Sequence, residues 1–312
     1  MTGEDDQDGG VAFVTGAGGF LGGAAAAALQ DAGWRVAALG HGALPAAALR
    51  IESDVGAESL AAAVRALGRP TLVFHAAGGA SVGASLADPE GDFRRTVGSL
   101  EATLAFLRDA APDARLIYPS SAAVYGARAR GPIPESAALD PISPYGRHKQ
   151  MAEARIAEAV AGWGLDAVVV RFFSIYGPGL QKQLLWELAG RAAAGPDSIE
   201  LSGQGDEARD FLFVDDAVRL VLRLAGLERG ATPQVVNGGT GRAVTVRGLA
   251  EALCAALGVQ TRITFNGQVR PGDPESLVAD PALARAVGFE PEVSLEDGLH
   301  RFAAWFAGAG RP

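Results

Sequence analysis

Apolar and polar positions along the chain fall into two alternating patterns. Short, nearly unbroken apolar runs at 11–14, 34–39 (WRVAAL), 71–78 (TLVFHAAG) and 115–119 (RLIYP) have the length and continuity of buried strands. Between and beyond them, at 23–32, 58–67, 92–109 and 151–163, apolar residues recur at helical spacing. A third strand is expected to close at 52–55 (ESDV) and a sixth to end near 171. Strands alternating with helices up to about residue 170 predict an α/β protein, a parallel sheet with helices on both faces. Further helices are expected at 217–227, around Leu249, Leu253 and Leu257, at 283–287 and at 295–306, with Pro291 separating the last two.

At 312 residues the chain is long enough for a large core and a second lobe. The expected division is a flexible tail at 1–10, a first domain at 11–178 with later segments returning to it, and a second lobe mainly at 179–312. Lys and Arg number 27 against 36 Asp and Glu, a formal charge of −9 without a basic tract, which argues against nucleic acid or an anionic membrane as partner. A lone cysteine, Cys254, forms no internal disulfide, offers no metal cluster and falls in a helical apolar pattern. No stretch approaches the ~18 apolar residues of a membrane span. The acidic, polar start (MTGEDDQDGG) is unlike a signal peptide, so a cytoplasmic protein is expected.

The candidate chemistry lies in 117–149. Tyr145 and Lys149 are four apart and share a face of a helix that Ser143 and Pro144 are suited to start. An ammonium beside a phenol favours the phenolate, lowering an ordinary pKa of about 10. Ser120 and Ser121 close the 115–119 run, where a hydroxyl can hold a substrate oxygen while Tyr145 moves its proton. Such a set suits proton abstraction from an alcohol or donation to a ketone. A YxxxK spacing alone fits a solvated helix face equally well. Upstream, 11–22 (VAFVTGAGGFLG) runs from strand into glycines at 16, 19 and 22, then into an alanine-rich helix and a second strand. In that context small residues permit close backbone approach, and a pyrophosphate can sit on the helix N-terminus; a glycine turn without ligand is the bland alternative.

Together these stretches resemble the extended short-chain dehydrogenase/reductase superfamily, in its nucleotide-sugar epimerase/dehydratase branch. TGAGGFLG is similar to that family's TGxxGFxG, VFHAAG (73–78) to its strand-four motif and SSAAVYG (120–126) to its serine motif. PISPYGRHK matches the YxxxK segment and RFFSIYGPG (171–179) the strand that follows. GQGDEARDFLFVDD (203–216) and RPGDPESLVAD (270–280) are similar to its substrate-domain signatures. The resemblance covers nearly the whole chain. It implies a Rossmann-type doubly wound parallel sheet with a smaller C-terminal substrate-binding lobe, NAD or NADP as cofactor and a nucleotide-diphosphate sugar as substrate. It also implies a homodimer through the helices at 92–109 and 151–163, whose patterning equally fits burial within one subunit.

By that resemblance Ser121, Tyr145 and Lys149 are catalytic, and Tyr145 and Lys149 also meet the cofactor, Lys149 at its ribose. Gly16, Gly18, Gly19, Phe20 and Leu21 follow the cofactor, Ala76 and Ala77 lie where its backbone passes, and the chain at Phe172 covers the nicotinamide. Asp54, beside Val55, is an adenine-contact candidate, or else caps the helix at 58–67. Ser81 borders the sugar with Ser121 and Ala122, and Ser174 stands where many relatives have asparagine. Lys182 is a phosphate contact or a solvated charge. Arg209 reaches the diphosphate through paired hydrogen bonds that a lysine cannot make. Arg270 plays a second such part, with Asp273 orienting it or binding ribose. His75 reads as structural, Tyr125 as structural or a wall of the sugar pocket, and Asp215 and Asp216 as the acidic start of a helix.

Several further positions depart from the family pattern. The second strand ends Leu39-Gly40-His41-Gly42 without the acid that accepts from ribose hydroxyls and repels a 2′-phosphate, so NADP is opened, although no arginine follows to attract it. His41 is left as a ribose or phosphate contact or a plain loop residue. Thr96 replaces an asparagine that supports the site. Ala122 and Ala123 replace the acidic pair of the sugar 4,6-dehydratases. The favoured expectation is therefore an epimerase working by hydride transfer at sugar C4 through a 4-keto intermediate. An NADPH-dependent 4-keto-sugar reductase is the alternative, with a dehydratase or a non-catalytic dinucleotide sensor after it.

Overall fold

The protein's structure, a computed structural model, describes residues 9–127, 131–231, 233–268 and 274–308. Seven strands form the main sheet: β1 (Gly9–Thr15), β2 (Trp34–Gly40), β3 (Leu49–Glu52), β4 (Leu72–His75), β5 (Arg115–Ser121), β6 (Ala167–Phe172) and β7 (Val235–Gly238). Their order is β7-β6-β5-β4-β1-β2-β3, and β1 pairs parallel with both β2 and β4. The chain thus winds outward to β3 and returns beside β1. This leaves a crevice at the carboxyl ends of β1 and β4, the position where doubly wound sheets take ligands.

The chain divides into two compact units. The first comprises the chain up to Val124, Ser143–Val170 and Val221–Val236. Its helices include α1 (Phe20–Asp31), α2 (Ala57–Leu67), α3 (Ser99–Ala110) and α4 (Pro144–Trp163). Phe13, Leu39, Val73, Leu116 and Tyr118 from the sheet pack with Leu60, Leu100, Leu107 and Ile156 from α2, α3 and α4 in one core. Ser143 caps α4, accepting from the Gly146 N–H at 3.1 Å with Pro144 in the first turn, as the sequence suggested. Arg115 is buried and paired with Asp166 at 3.0 Å, and it donates to the carbonyls of Leu224 and Leu227 at the end of the helix Val214–Ala225.

The second unit comprises Tyr125–Ile142, Arg171–Leu220 and the chain from Asn237. Short strands Val244–Thr245, Ala208–Arg209, Ser276–Ala279 and Pro132–Ile133 make a four-stranded sheet, and Ser198–Leu201 pairs parallel with Arg262–Phe265. Buried Asp210 ties this unit together. Its carboxylate accepts from the Thr240 N–H and hydroxyl, the Gly241 N–H and the Ala279 N–H. Around Tyr125, the hydroxyl donates to Asn237 at 2.7 Å and accepts from Arg171 at 3.1 Å, a structural place rather than a pocket wall. Trp186, Phe302, Trp305 and Phe306 form an aromatic cluster between the helices Gln183–Ala193 and Leu295–Gly308.

Several boundaries differ from the sequence reading. β1 starts at Gly9, within the expected tail, while residues 1–8 lie outside the described residues. Residues 125–142 belong with the second unit, and the units divide at Val170 instead of 178, while 221–236 return to the first unit as the expected later segment. The helix expected at 92–109 is three pieces: Pro89–Phe93, a π-helical turn Arg94–Gly98, and α3. Asp216 does more than complement a helix dipole. Buried in the first turn of Val214–Ala225, it accepts from the Glu292 and Val293 N–H groups and pairs with Arg219 at 2.5 Å. Among the described residues no helix is long and apolar enough to cross a membrane.

Replacing Asp210 by asparagine turns one acceptor oxygen into a donor facing N–H groups, leaving buried donors unmatched. Each such group costs about 1–3 kcal/mol. D210N is expected to lower the unfolding free energy by roughly 2–4 kcal/mol, read as a lower denaturant midpoint.

Candidate active site

The glycine loop is shaped by close approach. Gly16 has φ +65°, and a Cβ there would lie 2.6 Å from the Ala76 carbonyl. At Gly18 a Cβ would meet the His41 carbonyl oxygen at 1.9 Å, and at Gly22 the Gly16 oxygen at 2.2 Å. α1 begins just after Gly19 with no side-chain cap and no acid in its first turn, so its leading N–H groups are left for an anion. These features bring Gly16, Gly18, Gly19, Phe20 and Leu21 to the β1/β4 crevice with Ala76 and Ala77.

His75 supports that crevice from beneath. It is fully buried, with Nδ1 3.0 Å from the Thr15 hydroxyl and Nε2 3.2 Å from that of Ser99. Ser99 spends its own proton on the Arg95 carbonyl, so Nε2 must carry the ring proton and Nδ1 accepts. The Thr15 oxygen in turn accepts from the Ala77 N–H, fixing the loop after β4. Burial first, then the charge of Lys149, pulls the imidazole down to about 3. His75 is a structural histidine.

The residues expected to be catalytic meet at the end of β5 and the start of α4. Ser121 comes near enough to the Tyr145 phenol to pull its pKa down, and the Ser121 oxygen accepts from the Ala123 N–H. Lys149 is buried; its Nζ donates to the Pro119 carbonyl at 2.8 Å and lies 4.7 Å from the Tyr118 ring centroid and 5.9 Å from that of Tyr145. One expectation is corrected here. Tyr145 stands above its ordinary value, because burial outweighs the pull of Ser121 and the Asp92 charge pushes the same way as burial. The Lys149 ammonium points at a carbonyl and a neighbouring ring, so it is not the direct partner of the phenol. Burial also brings Lys149 itself down to about 8, opposed by the carboxylates of Asp92 and Glu153.

Other positions have unexpected company. His41 Nε2 lies 2.9 Å from the Asp54 carboxylate, so an acid reaches the end of β2 from beyond β3. Asp54 is fully exposed and does not cap α2, whose N-cap is Gly56; neighbouring Val55 is half-buried. Ser81 caps the helix Val82–Ala87, accepting from the Ala84 N–H at 3.2 Å. Thr96, in the π-helical turn, accepts from the Gly79 N–H at 2.8 Å. Ala122 is buried. Spacing had not suggested two buried carboxylates: Glu153, accepting from Ser120 at 2.5 Å, and Asp92, held by His148 Nδ1 at 2.6 Å. Glu153 lies four residues past Lys149, the same spacing that drew attention to Tyr145.

In the second unit, Phe172 ends β6 and is buried, and half-buried Ser174 opens a short strand paired with Phe211. Lys182 is the extended N-cap of Gln183–Ala193 rather than a helical residue, and burial lowers its pKa. Arg209 donates to the carbonyls of Ala208 and Pro274. Arg270 and Asp273 lie outside the described residues.

Residues 12–239 match the model of the NAD dependent epimerase/dehydratase family. The chain belongs to that family. It is 34% identical to the UDP-glucose 4-epimerase of Azospirillum brasilense, over 93% of this chain and 90% of that protein. The crystal structure of UDP-glucose 4-epimerase with UDP-glucose from Thermotoga maritima superposes with a TM-score of 0.86 at 28% identity, covering 96% and 99% of the two chains. The NAD-dependent NDP-hexosamine 5,6-dehydratase TunA, of tunicamycin biosynthesis, superposes with a TM-score of 0.82 at 27% identity, covering 95% and 97%. As a member of an NAD-dependent family, the chain carries a fitting cradle: an uncapped helix start beside glycines whose missing side chains leave the approach open.

The network around His75 makes an acid-stability prediction. The folded value of about 3 lies below the ordinary 6.5, so the unfolded chain takes up this proton first as pH falls. Stability from His75 is complete above pH 6.5 and is lost as pH drops toward 3. Between pH 7 and 5 the wild type should lose about 2 kcal/mol from this residue. Denaturant titrations of His75→Gln across that range should show a shallower slope by close to one proton.

Proposed function

We propose that this enzyme is an NAD-dependent nucleotide-sugar 4-epimerase, and that Ser121, Tyr145 and Lys149 carry its chemistry. The observation that supports the reading most is that Ser121, at the end of β5, and Lys149, with Nζ 5.9 Å from the Tyr145 ring centroid, converge on the buried Tyr145 phenol. Tyr145 Oη, once its own resting proton has passed to solvent, takes the proton of the C4 hydroxyl as a phenolate and later returns it to the 4-keto oxygen, while Ser121 Oγ holds that oxygen. Lys149 supplies a positive charge behind the phenol and a contact for the cofactor ribose. NAD, when bound, supplies the hydride acceptor at C4 and returns the hydride to the other face. Gly16, Gly18, Gly19, Phe20 and Leu21 would hold its pyrophosphate, with Ala76, Ala77 and Phe172 along its path. Ala122 and Ala123 bear methyl groups where elimination would need acids, which favours epimerisation over 4,6-dehydration.

Sugar and nucleotide fall to Ser81, Ser121, Ala122, Ser174, Lys182 and Arg209, with Arg270 and Asp273 kept as proposals. Lys182 suits an anion: a half-buried cation at a helix N-terminus opposes the dipole unless a negative group joins it. UDP-glucose in the Thermotoga maritima structure supports a uridine diphosphate hexose as the first substrate to try. Exposed Val82, Leu86, Phe93 and Met151 suit a homodimer, and the reading is of a cytoplasmic enzyme.

Two experiments test this reading. With UDP-glucose and NAD, the purified protein should form UDP-galactose without net reduction of cofactor, followed by NMR. Tyr145→Phe should cut turnover about 10²–10⁴-fold while NAD still binds. Stoichiometric NADPH oxidation with a 4-keto sugar, and no interconversion of UDP-hexoses, would make it a reductase.

The His41–Asp54 pair bears on NAD against NADP. A carboxylate beside His41 restores at the end of β2 the negative charge that the sequence there lacks, and it repels a 2′-phosphate. Asp54→Asn should therefore narrow the preference for NAD over NADP about tenfold, read by titrating each cofactor. An unchanged ratio would remove Asp54 from cofactor choice.

A further inference from the structure

Asp92 is a buried carboxylate whose surroundings call for an explanation. It is fully buried, one oxygen accepts from His148 Nδ1 at 2.6 Å, and Oδ1 has no hydrogen-bond partner among the described residues. A buried, half-satisfied charge is expensive unless a counter-charge lies close by. Oδ1 faces the bend after β4: a Cβ on Gly79 would sit 1.8 Å from it, and a Cβ on Gly78 would lie 3.8 Å from Lys149 Nζ. The carboxylate and the ammonium therefore flank two consecutive glycines. His148 is adjacent to Lys149 in sequence, so the clamp on Asp92 springs from the helix turn that carries the lysine. On its outer side His148 stands edge-on to Phe93, ring centroids 5.5 Å apart, and lines a shallow cleft with Glu90 and Arg94.

We propose that Asp92, oriented by His148, is a positioning residue for the Tyr145–Lys149 pair, its negative charge holding Lys149 as an ammonium across the Gly78–Gly79 bend. The inference rests on the reading of Tyr145 and Lys149 as the proton-handling pair. Glu153 shares the task but is occupied by Ser120. Tyr118 stacks under the same ammonium, its buried hydroxyl without a hydrogen-bond partner among the described residues. Two effects follow from the sign of the charge. Asp92 favours the Lys149 ammonium and disfavours the Tyr145 phenolate, so removing the charge lowers the ionisation range of both. A packing role would leave both ranges where they are.

The test is a spectrophotometric titration of tyrosinate on the protein alone. The chain has four tyrosines, so subtracting the Tyr145→Phe titration isolates Tyr145. Asp92→Asn keeps the shape and an acceptor for His148, and should move Tyr145 ionisation to lower pH by about one unit. An unmoved Tyr145 in folded D92N overturns the proposal. Should D92N fail to fold, His148→Ala and His148→Asn decide. Without its hydrogen bond the Asp92 carboxylate loses its fixed place against the Gly78–Gly79 bend, so H148A should shift Tyr145 in the same direction by a smaller amount, and H148N, which can still donate, should restore the wild-type titration. Identical titrations in wild type, H148A and H148N overturn it. No sugar or cofactor enters this measurement, so it stands or falls separately from the substrate assignment, which the turnover of Tyr145→Phe addresses.

Discussion

Keeping an ammonium charged inside a protein is the constraint around which the first unit's site is arranged. Burial alone drives a lysine toward its neutral form, and a neutral Lys149 would offer no positive charge to a phenolate or a ribose. The fold answers with groups drawn from three elements. β5 supplies the Pro119 carbonyl and the face of Tyr118, α4 supplies Glu153 one turn on, and the segment before α3 supplies Asp92. The net result is a lysine at about 8, charged at neutral pH and close to losing that charge.

The same arrangement explains why Tyr145 stands high. Burial first, and then the Asp92 carboxylate that helps retain the ammonium, oppose a phenolate, so Tyr145 rests protonated and ready to donate. Only Ser121 pulls toward ionisation. On the proposed reading a bound oxidised cofactor would supply positive charge near Tyr145, on the side of Gly16, Ala76 and Ala77, and so favour its ionisation. On that reading the proton would move only when a cofactor and a substrate oxygen are both in place, with burial and Asp92 guarding against idle ionisation.

Much of this was legible in the chain. The Ser143–Pro144 start, the four-residue spacing of Tyr145 and Lys149, and the strand-to-glycine transition at 11–22 each follow from local rules, and each local rule held. What spacing could not give was direction. Tyr145 and Lys149 share a helix face, yet Nζ turns to the Pro119 carbonyl, and only the packed environment decides that. Nor could a helical period reveal the π-helical turn at Arg94–Gly98, because one extra residue per turn leaves the apolar pattern nearly intact while redirecting Thr96 onto the Gly79 N–H. The placing of 125–142 with the second unit depends on Arg171, Glu135 and Asn237 bonding across more than thirty residues, beyond the reach of any window.

The two departures that looked most damaging in the sequence have a common physical answer. The end of β2 lacks its acid, and the segment before α3 lacks its asparagine, but what a site needs is a charge or a donor at a point in space. On the proposed reading Asp54 meets the first need from another strand's exit, beside His41. Near the second, Thr96 holds the loop backbone while Asp92, one turn earlier, brings charge to the far side of the same glycines. Reading such sites position by position therefore undercounts them: a lost residue on one element can be met by a pair on two others, and the pair becomes visible only when the elements are packed. On the proposed reading, His41–Asp54 and Asp92–His148 are two instances of one solution, a histidine used to fix the place of a carboxylate whose charge acts on a third group.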